Sequence, residues 1–286
     1  MRTADWKDYS VIATGDGYKL ENWKGVVLLR PDPQVIWKSS INMDNYKGLS
    51  AKYLRSETGG GRWLYKGKMP DEWTVSYKDL KFKIKPMGFK HTGLFPEQAV
   101  NWDLMRKLIE NAGREINVLN LFAYTGGATV ACAKSGANVC HVDAAKAMVE
   151  RAKENANLSS VEVSKLRFIV DDCKKFVERE IRRGKKYDAI IMDPPSYGRG
   201  ANGEVWKLET ELFSLVELCS KVLSDNPLFF LINSYTTGLQ PQVIKNILQI
   251  AVAKGKGRVE AYEIGINTQE NGVILPCGNS GIWINE

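Results

Sequence analysis

The stretch Tyr187-Asp188-Ala189-Ile190-Ile191-Met192-Asp193-Pro194-Pro195-Ser196-Tyr197 decides the fold. A short apolar run that breaks at an acid and two prolines reads as a buried parallel strand whose carboxyl end becomes a rigid loop, because proline cannot donate to a ladder or continue an element. Open α/β sheets bind their ligands outside such carboxyl ends. Asp193, Pro194, Pro195 and Tyr197 are therefore the first candidate site residues.

Strands and helices alternate on both sides of this run, the pattern of a parallel sheet with crossover helices. Upstream, Asn117 to Phe122 reads as a first strand followed by a helix from Gly127 to Ser135. Asn138 to Val142 is a second strand with a helix from Ala144 to Asn157, and Leu166 to Val170 a third with a helix from about Cys173 to Arg183. Downstream, the spacing predicts a long helix over Val205 to Leu223, a strand over Pro227 to Asn233, and a helix with Val243, Ile244, Ile247, Leu248 and Ala251 on one face. Arg258 to Gly265 and Gly281 to Asn285 close the chain as two strands joined by a loop without a helix. The expected class is α/β, a Rossmann-like sheet of seven strands with the last antiparallel.

Before about residue 85 the signals are those of β structure. Runs such as Val26–Leu29, Trp73–Tyr77 and Leu80–Ile84 are separated by turn formers at Gly15-Asp16-Gly17, Pro31-Asp32-Pro33 and Gly59-Gly60-Gly61. The sequence thus divides into a small β-rich domain over residues 1–87 and a sheet domain over residues 88–286. Residues 1–100 carry 17 Lys/Arg against 11 Asp/Glu, and the remainder 23 against 22, so the net charge of +7 is concentrated in the first third. Trp6, Trp23, Trp37, Trp63 and Trp73 lie there too. Basic side chains interleaved with aromatics suit phosphate neutralisation and base stacking, and suit equally an aromatic core under a solvated lysine face.

Composition excludes several classes. With 44% apolar and 26% charged residues the chain is an ordinary folded protein, neither disordered nor fibrous. No apolar stretch has the length needed to span a bilayer, and Met1-Arg2-Thr3-Ala4-Asp5-Trp6 lacks the apolar core of a signal peptide, so a cytoplasmic location and no membrane partner are expected. Five cysteines without a Cys-x-x-Cys fit a reducing compartment, and two histidines, His91 and His141, leave little to ligate a metal; none is expected.

The first strand ends in Phe122-Ala123-Tyr124-Thr125-Gly126-Gly127 and the second in His141-Val142-Asp143. Glycine at a strand-to-helix turn lets the backbone approach a ligand, and an acid at the tip of the next strand is placed to accept from ribose hydroxyls. Either S-adenosylmethionine or a dinucleotide satisfies this pattern, but the Gly-x-Gly-x-x-Gly spacing of the latter is absent. Asp171 and Asp172 end the third strand; Asp172 is positioned to accept from an adenine amino group or to cap the following helix.

The segments 121–127, Asp143, Asp171-Asp172 and Asp193-Pro194-Pro195-Ser196 resemble the motifs of class I S-adenosylmethionine-dependent methyltransferases, closest to the bacterial 23S ribosomal RNA cytosine-C5 and guanine-N7 methyltransferase family. Lys90-His91-Thr92-Gly93-Leu94-Phe95-Pro96-Glu97-Gln98 is similar to the stretch with which that family enters its catalytic domain, which makes Gln98 a cofactor residue by resemblance. The resemblance covers roughly residues 88–286, and the family's usual amino-terminal PUA module has no counterpart here. It implies S-adenosylmethionine as cofactor, bound by Gln98, Phe122, Ala123, Tyr124, Thr125, Gly126, Asp143, Asp171 and Asp172. It also implies structured RNA, ribosomal first, as partner, with the enzyme acting as a monomer or homodimer.

In such a loop Asp193 and the Pro194 carbonyl accept from an amino group or ring N–H, Pro195 adds stiffness, and Tyr197 either stacks on a splayed-out base or packs under the loop. Gly198 to Glu204 reads as a mobile lid or an ordinary exposed loop. Methylation of cytosine C5 requires a cysteine to add at C6. In the cytosine-C5 relatives that cysteine follows the fifth strand, where this chain has Asn233-Ser234-Tyr235. Cys277 is the other candidate, unless it is a small buried apolar group. The reading that follows is methylation of a base nitrogen in ribosomal RNA. The alternatives are cytosine C5, a protein or small-molecule substrate, and a catalytically silent RNA-binding relative.

Overall fold

Turn formers break the first hundred residues into short strands, and in the computed structural model these form two small sheets. The structure describes every residue except 57–59, 89, 200–204 and 271. β1 (Tyr9–Gly15), β2 (Tyr18–Trp23), β3 (Val26–Pro31), β4 (Leu49–Arg55) and β5 (Gly61–Tyr65) lie in that order in one sheet, with β3 and β4 parallel and the other pairs antiparallel. β6 (Trp73–Tyr77) and β7 (Leu80–Ile84) form a separate hairpin. By its internal contacts this smaller unit comprises Thr3–Ala99 together with a return segment, Gly265–Cys277, from the far end of the chain. Glu21 is fully buried inside it. The Arg30 guanidinium donates to both its oxygens at 2.5 and 2.8 Å, and the Tyr9 hydroxyl donates to one of them at 2.7 Å. Burial alone would push the Glu21 carboxyl up; Arg30 and Lys19 reverse it and hold it at about 2.

The larger unit comprises Met1–Arg2, Val100–Ile264 and Gly278–Glu286. α1 (Ala99–Glu110), whose pattern the motif at residues 90–98 overshadowed, leads into β8 (Asn117–Leu121), α2 (Gly127–Lys134), β9 (Asn138–Asp143), α3 (Lys146–Leu158), β10 (Leu166–Val170), α4 (Cys173–Arg182) and β11 (Ala189–Met192). β12 (Tyr197–Arg199), β13 (Val205–Lys207), α5 (Leu208–Ser220), β14 (Phe229–Ser234), α6 (Pro241–Leu248), β15 (Arg258–Asn267) and β16 (Ile274–Ile284) complete it. The sheet order is β10-β9-β8-β11-β14-β16-β15, with β16 antiparallel to β14. This is the expected α/β sheet of seven strands with its last strand antiparallel. All four residues of β11 are at most 2% exposed, the two-faced burial expected of a central parallel strand. The polar start of the opening stretch is structural: Asp188 accepts from the Asn117 amide at 2.9 Å and the Ser224 hydroxyl at 2.8 Å, tying the amino ends of β8 and β11 together.

Two expectations are corrected. The long helix predicted from Val205 begins at Leu208; Val205–Lys207 is instead a strand paired antiparallel with Tyr197–Arg199. Its β-branched and aromatic side chains fit a ladder, and the Leu208 amide, a first-turn orphan of the helix, donates to the Ser196 carbonyl at 3.1 Å. The closing strand predicted from Gly281 starts at Ile274, so Cys277 lies within a strand and not in the connecting loop.

Candidate active site at the carboxyl edge of the sheet

The strand order reverses at β8, so a crevice opens between β8 and β11 at their carboxyl ends. Met192 pairs with Leu121 on one side and Ile232 on the other, which brings Asp193 level with Phe122 and Asn233.

On the β8 side the backbone is contorted. Phe122, Tyr124 and Gly126 all have positive φ, at 55°, 50° and 83°. Two aromatic residues in the left-handed region are strained, and such strain persists only where the surroundings impose it. Here they do. The Phe122 amide points at Cys173 Sγ at 3.2 Å, the Ala123 amide donates to the Val142 carbonyl, the Tyr124 amide to Asp143 Oδ2 at 2.8 Å, and Asn155 Nδ2 to the Thr125 carbonyl at 2.8 Å. A side chain at position 126 would stand 2.8 Å from the Ala152 Cβ, so glycine serves both the turn and the approach of α3. Below the loop, Asn120 Nδ2 donates to Thr129 Oγ1, which leaves the Thr129 hydroxyl proton for His141 Nδ1, each at 2.9 Å. His141 Nε2 is buried without a partner, and burial pushes this imidazole down to about 3, so it is neutral.

The acids on this side have structural partners. Asp143 accepts from the Tyr124 and Ala145 amides, one to each oxygen, which leaves each oxygen a further lone pair. Asp171 pairs with Arg179. Asp172 caps α4, accepting from the Lys175 amide at 2.8 Å, and its side chain remains exposed.

On the β11 side, Asp193 is half-buried and Pro194 buried, while Pro195, Ser196 and Tyr197 are exposed. Tyr197 is 51% exposed. The loop is pinned from outside: Trp206 Nε1 donates to the Pro195 carbonyl at 2.6 Å and the Thr236 hydroxyl to Ser196 Oγ at 2.6 Å. The Trp206 ring also lies 6.4 Å from that of Phe122, so one side chain touches both halves of the crevice. Trp206 escaped the sequence reading because its segment reads as helix. The lid suggested over Gly198–Glu204 falls mostly on residues 200–204, outside the described residues.

β14 ends in a closed network. Asn101 Nδ2 donates to Asn233 Oδ1 and Ser280 Oγ at 2.9 Å, Ser280 Oγ donates to Asn233 Oδ1 at 2.8 Å, and Tyr262 donates to Asn101 Oδ1 at 2.7 Å, all buried. Ser234, at the position where the resemblance would put a nucleophilic cysteine, is 1% exposed and accepts from the Thr236 amide. Gly278 makes room for Tyr235, since a side chain there would meet its ring at 3.0 Å. Burial raises the thiols of Cys132, to about 12, and Cys140, to about 11, and pushes Cys173, Cys219 and Cys277 up as well. None of the five is a ready thiolate. Cys277 and Gln98 both belong to the smaller unit, Gln98 buried at the end of a single helical turn, Pro96–Gln98.

A reversed parallel sheet with an antiparallel last strand, a strained glycine turn backed by an acid, and an Asp-Pro-Pro loop across the crevice together define a methyltransferase-type α/β domain. The chain belongs to the S-adenosylmethionine-dependent methyltransferase family, whose profile matches residues 37–230. A solved S-adenosylmethionine-dependent methyltransferase from Agrobacterium tumefaciens superposes with a TM-score of 0.93 at 32% identity, covering 99% of this chain and 92% of that one. Among curated relatives, a ribosomal RNA large subunit methyltransferase K/L from Shewanella frigidimarina is 34% identical over 148 residues, 51% of this chain and 20% of the relative. A ribosomal RNA large subunit methyltransferase I from Tolumonas auensis is 32% identical over 171 residues, 59% of this chain and 40% of the relative. The chain thus spans a fifth to two fifths of the length of these curated relatives. Among the described residues no helix is long and apolar enough to cross a membrane.

Proposed function

We propose that this protein transfers the methyl group of S-adenosylmethionine to a base nitrogen in structured RNA, ribosomal RNA first. The observation that carries the reading is the pairing of the strained 122–126 turn with the pinned Asp193-Pro194-Pro195-Ser196 loop across one crevice, with Trp206 against both. The names of the curated relatives support ribosomal RNA as the substrate class.

Asp143 accepts the ribose hydroxyls with its remaining lone pairs, and the 122–126 backbone and first-turn amides of α2 receive the amino-acid end of the cofactor. Asp172 accepts from the adenine amino group, with Asp171 completing the cofactor residues of the larger unit. When bound, S-adenosylmethionine supplies an electrophilic methyl group on a sulfonium. The protein's part is alignment. Asp193 and the Pro194 carbonyl accept from N–H groups of the base, raising electron density on the attacking nitrogen and fixing its direction; Pro195 stiffens the loop and Tyr197 stacks on the base. The methyl group would pass from the sulfonium sulfur to the base nitrogen, the S–C bond breaking as the N–C bond forms, and Asp193 or water would take the proton where the nitrogen carries one. Nitrogen is favoured over cytosine C5 because Ser234 stands in the nucleophile's place and burial holds every cysteine thiol neutral. The small domain over residues 1–87 recognises the RNA, and the enzyme works in the cytoplasm as a monomer or homodimer.

Mass spectrometry of nucleosides from ribosomal RNA incubated with the protein and labelled S-adenosylmethionine tests this. An N-methylated purine is expected. Cofactor binding without label in RNA sinks the substrate reading, and 5-methylcytosine sinks the nitrogen reading.

A further inference from the structure

The two edges of the five-stranded sheet in the smaller unit differ. Along β1 the return segment covers the edge: the amides of Gln269 and Glu270 donate to the carbonyls of Val11 and Ile12, and Glu270 is clamped by the hydroxyls of Ser39 and Ser40. β5 has no ladder partner on its outer side among the described residues. Tyr65 at its end is 58% exposed, with Leu64 beside it 44% exposed. Lys66 and Lys68, which follow, are exposed and make no ion pair among the described residues.

Two open hollows meet at Lys68-Met69-Pro70. One, of about 550 Å³, takes in Lys24 and Trp73; the other, of about 430 Å³, takes in Tyr65 and Asp71. Lys24 leans on Asp8 at 3.1 Å with half its side chain in solvent. Residues 60–70 carry Arg62, Lys66 and Lys68 and no acid. Trp73 is half-buried, its indole N–H donating to the Trp23 carbonyl, and Tyr65 is the exposed ring; lysines that merely blunt a sheet edge against aggregation do not require such a ring beside them. An aromatic face next to unpaired cations is the combination that grips unpaired nucleic acid, by stacking and phosphate neutralisation together.

We propose that this surface binds an unpaired stretch of RNA, with bases against Tyr65 and Trp73, the phosphate between them on Lys68, and Lys66 and Lys24 on the flanking phosphates. The inference rests on the RNA reading above and assigns it a contact surface. It is tested with the full chain, by fluorescence anisotropy of a labelled oligouridine RNA and a duplex of equal length over a salt series.

The wild type is expected to prefer the unpaired RNA. Tyr65→Ala should weaken its binding about tenfold. A double variant, Lys66→Ser with Lys68→Ser, should lower the slope of log affinity against log salt by about 1.4, at about 0.7 for each cation lost on a single strand. With ribosomal RNA as methyl acceptor both variants should raise KM and leave kcat and S-adenosylmethionine affinity unchanged, which also reports that they fold. If the wild type binds RNA and the variants bind it equally, this surface is not the contact. If Tyr65→Ala changes the sedimentation mass instead, the open edge joins two copies of the chain and the inference fails. If the wild type binds no RNA while still binding S-adenosylmethionine, the underlying RNA reading falls, and this inference with it.

Discussion

The two halves of the crevice are built on opposite plans. The turn at residues 122–126, proposed to hold the cofactor, is fixed by hydrogen bonds that its own main-chain groups make to Asp143 and Asn155. In the loop at residues 193–197, proposed to hold the target, three consecutive side chains from Pro195 to Tyr197 are exposed, and the Trp206 and Thr236 side chains donate hydrogen bonds to it. A cofactor is the same at every turnover and suits a rigid backbone mould, whereas a macromolecular substrate must enter and leave, which suits an exposed loop on a stiff base. Damage to the first half should therefore appear in cofactor affinity and stability. Damage to the second should appear in turnover.

The largest effect tests the target half. Asp193→Asn is expected to lower kcat about 10²–10³-fold while cofactor affinity, read by calorimetry, stays unchanged; a loss in affinity instead would mean that the halves are not separable. Next, Gly126→Val forces a side chain into Ala152 at a φ that L-residues resist, so thermal melts should show about 3 kcal/mol of destabilisation and S-adenosylmethionine affinity should fall at least tenfold.

A third test uses His141. Its pKa in the fold, about 3, lies below the ordinary 6.5, so the unfolded chain binds a proton that the folded one refuses. Stability is then complete above about pH 6.5 and lost as pH falls toward 3, with about 2 kcal/mol gone by pH 5. Denaturant titrations of the wild type and of His141→Gln should differ in slope across that window. Equal slopes remove the buried-histidine account.

Trp206→Phe keeps a ring beside Phe122 and removes the bond to Pro195, and a fall of about tenfold in kcat with cofactor affinity intact is expected. The smallest effect separates two roles of one acid. Asp172→Ala should cost about 1 kcal/mol of stability through loss of the α4 cap. A parallel drop in S-adenosylmethionine affinity is expected, since the same carboxylate is proposed to accept from the adenine; unchanged affinity would leave Asp172 a helix cap alone.

Much of this was legible because periodicity and breakers act locally. The strand at 189–192, the acid and prolines after it, the glycine turn at 126 and the acid at 143 are each set by neighbours a few residues away, and sheet order followed from how such units wind. Residues 205–207 misread as helix because the partner that makes them a strand, Tyr197–Arg199, is defined by pairing and not by any local preference. The same holds for Cys277, whose strand extends past the point where its own pattern is apolar.

By itself, then, the sequence determined the class of sheet and the loops that stand at its carboxyl edge, since burial, turn geometry and proline's missing donor are written in each segment. Only the tertiary structure decided that Trp206 touches both halves, that Asn101, Asn233, Ser280 and Tyr262 lock the end of β14, and that residues 265–277 return to the smaller unit. Apart from the Trp206–Pro195 bond, those contacts join residues from 47 to 258 positions apart, and no local pattern encodes a partner at that distance.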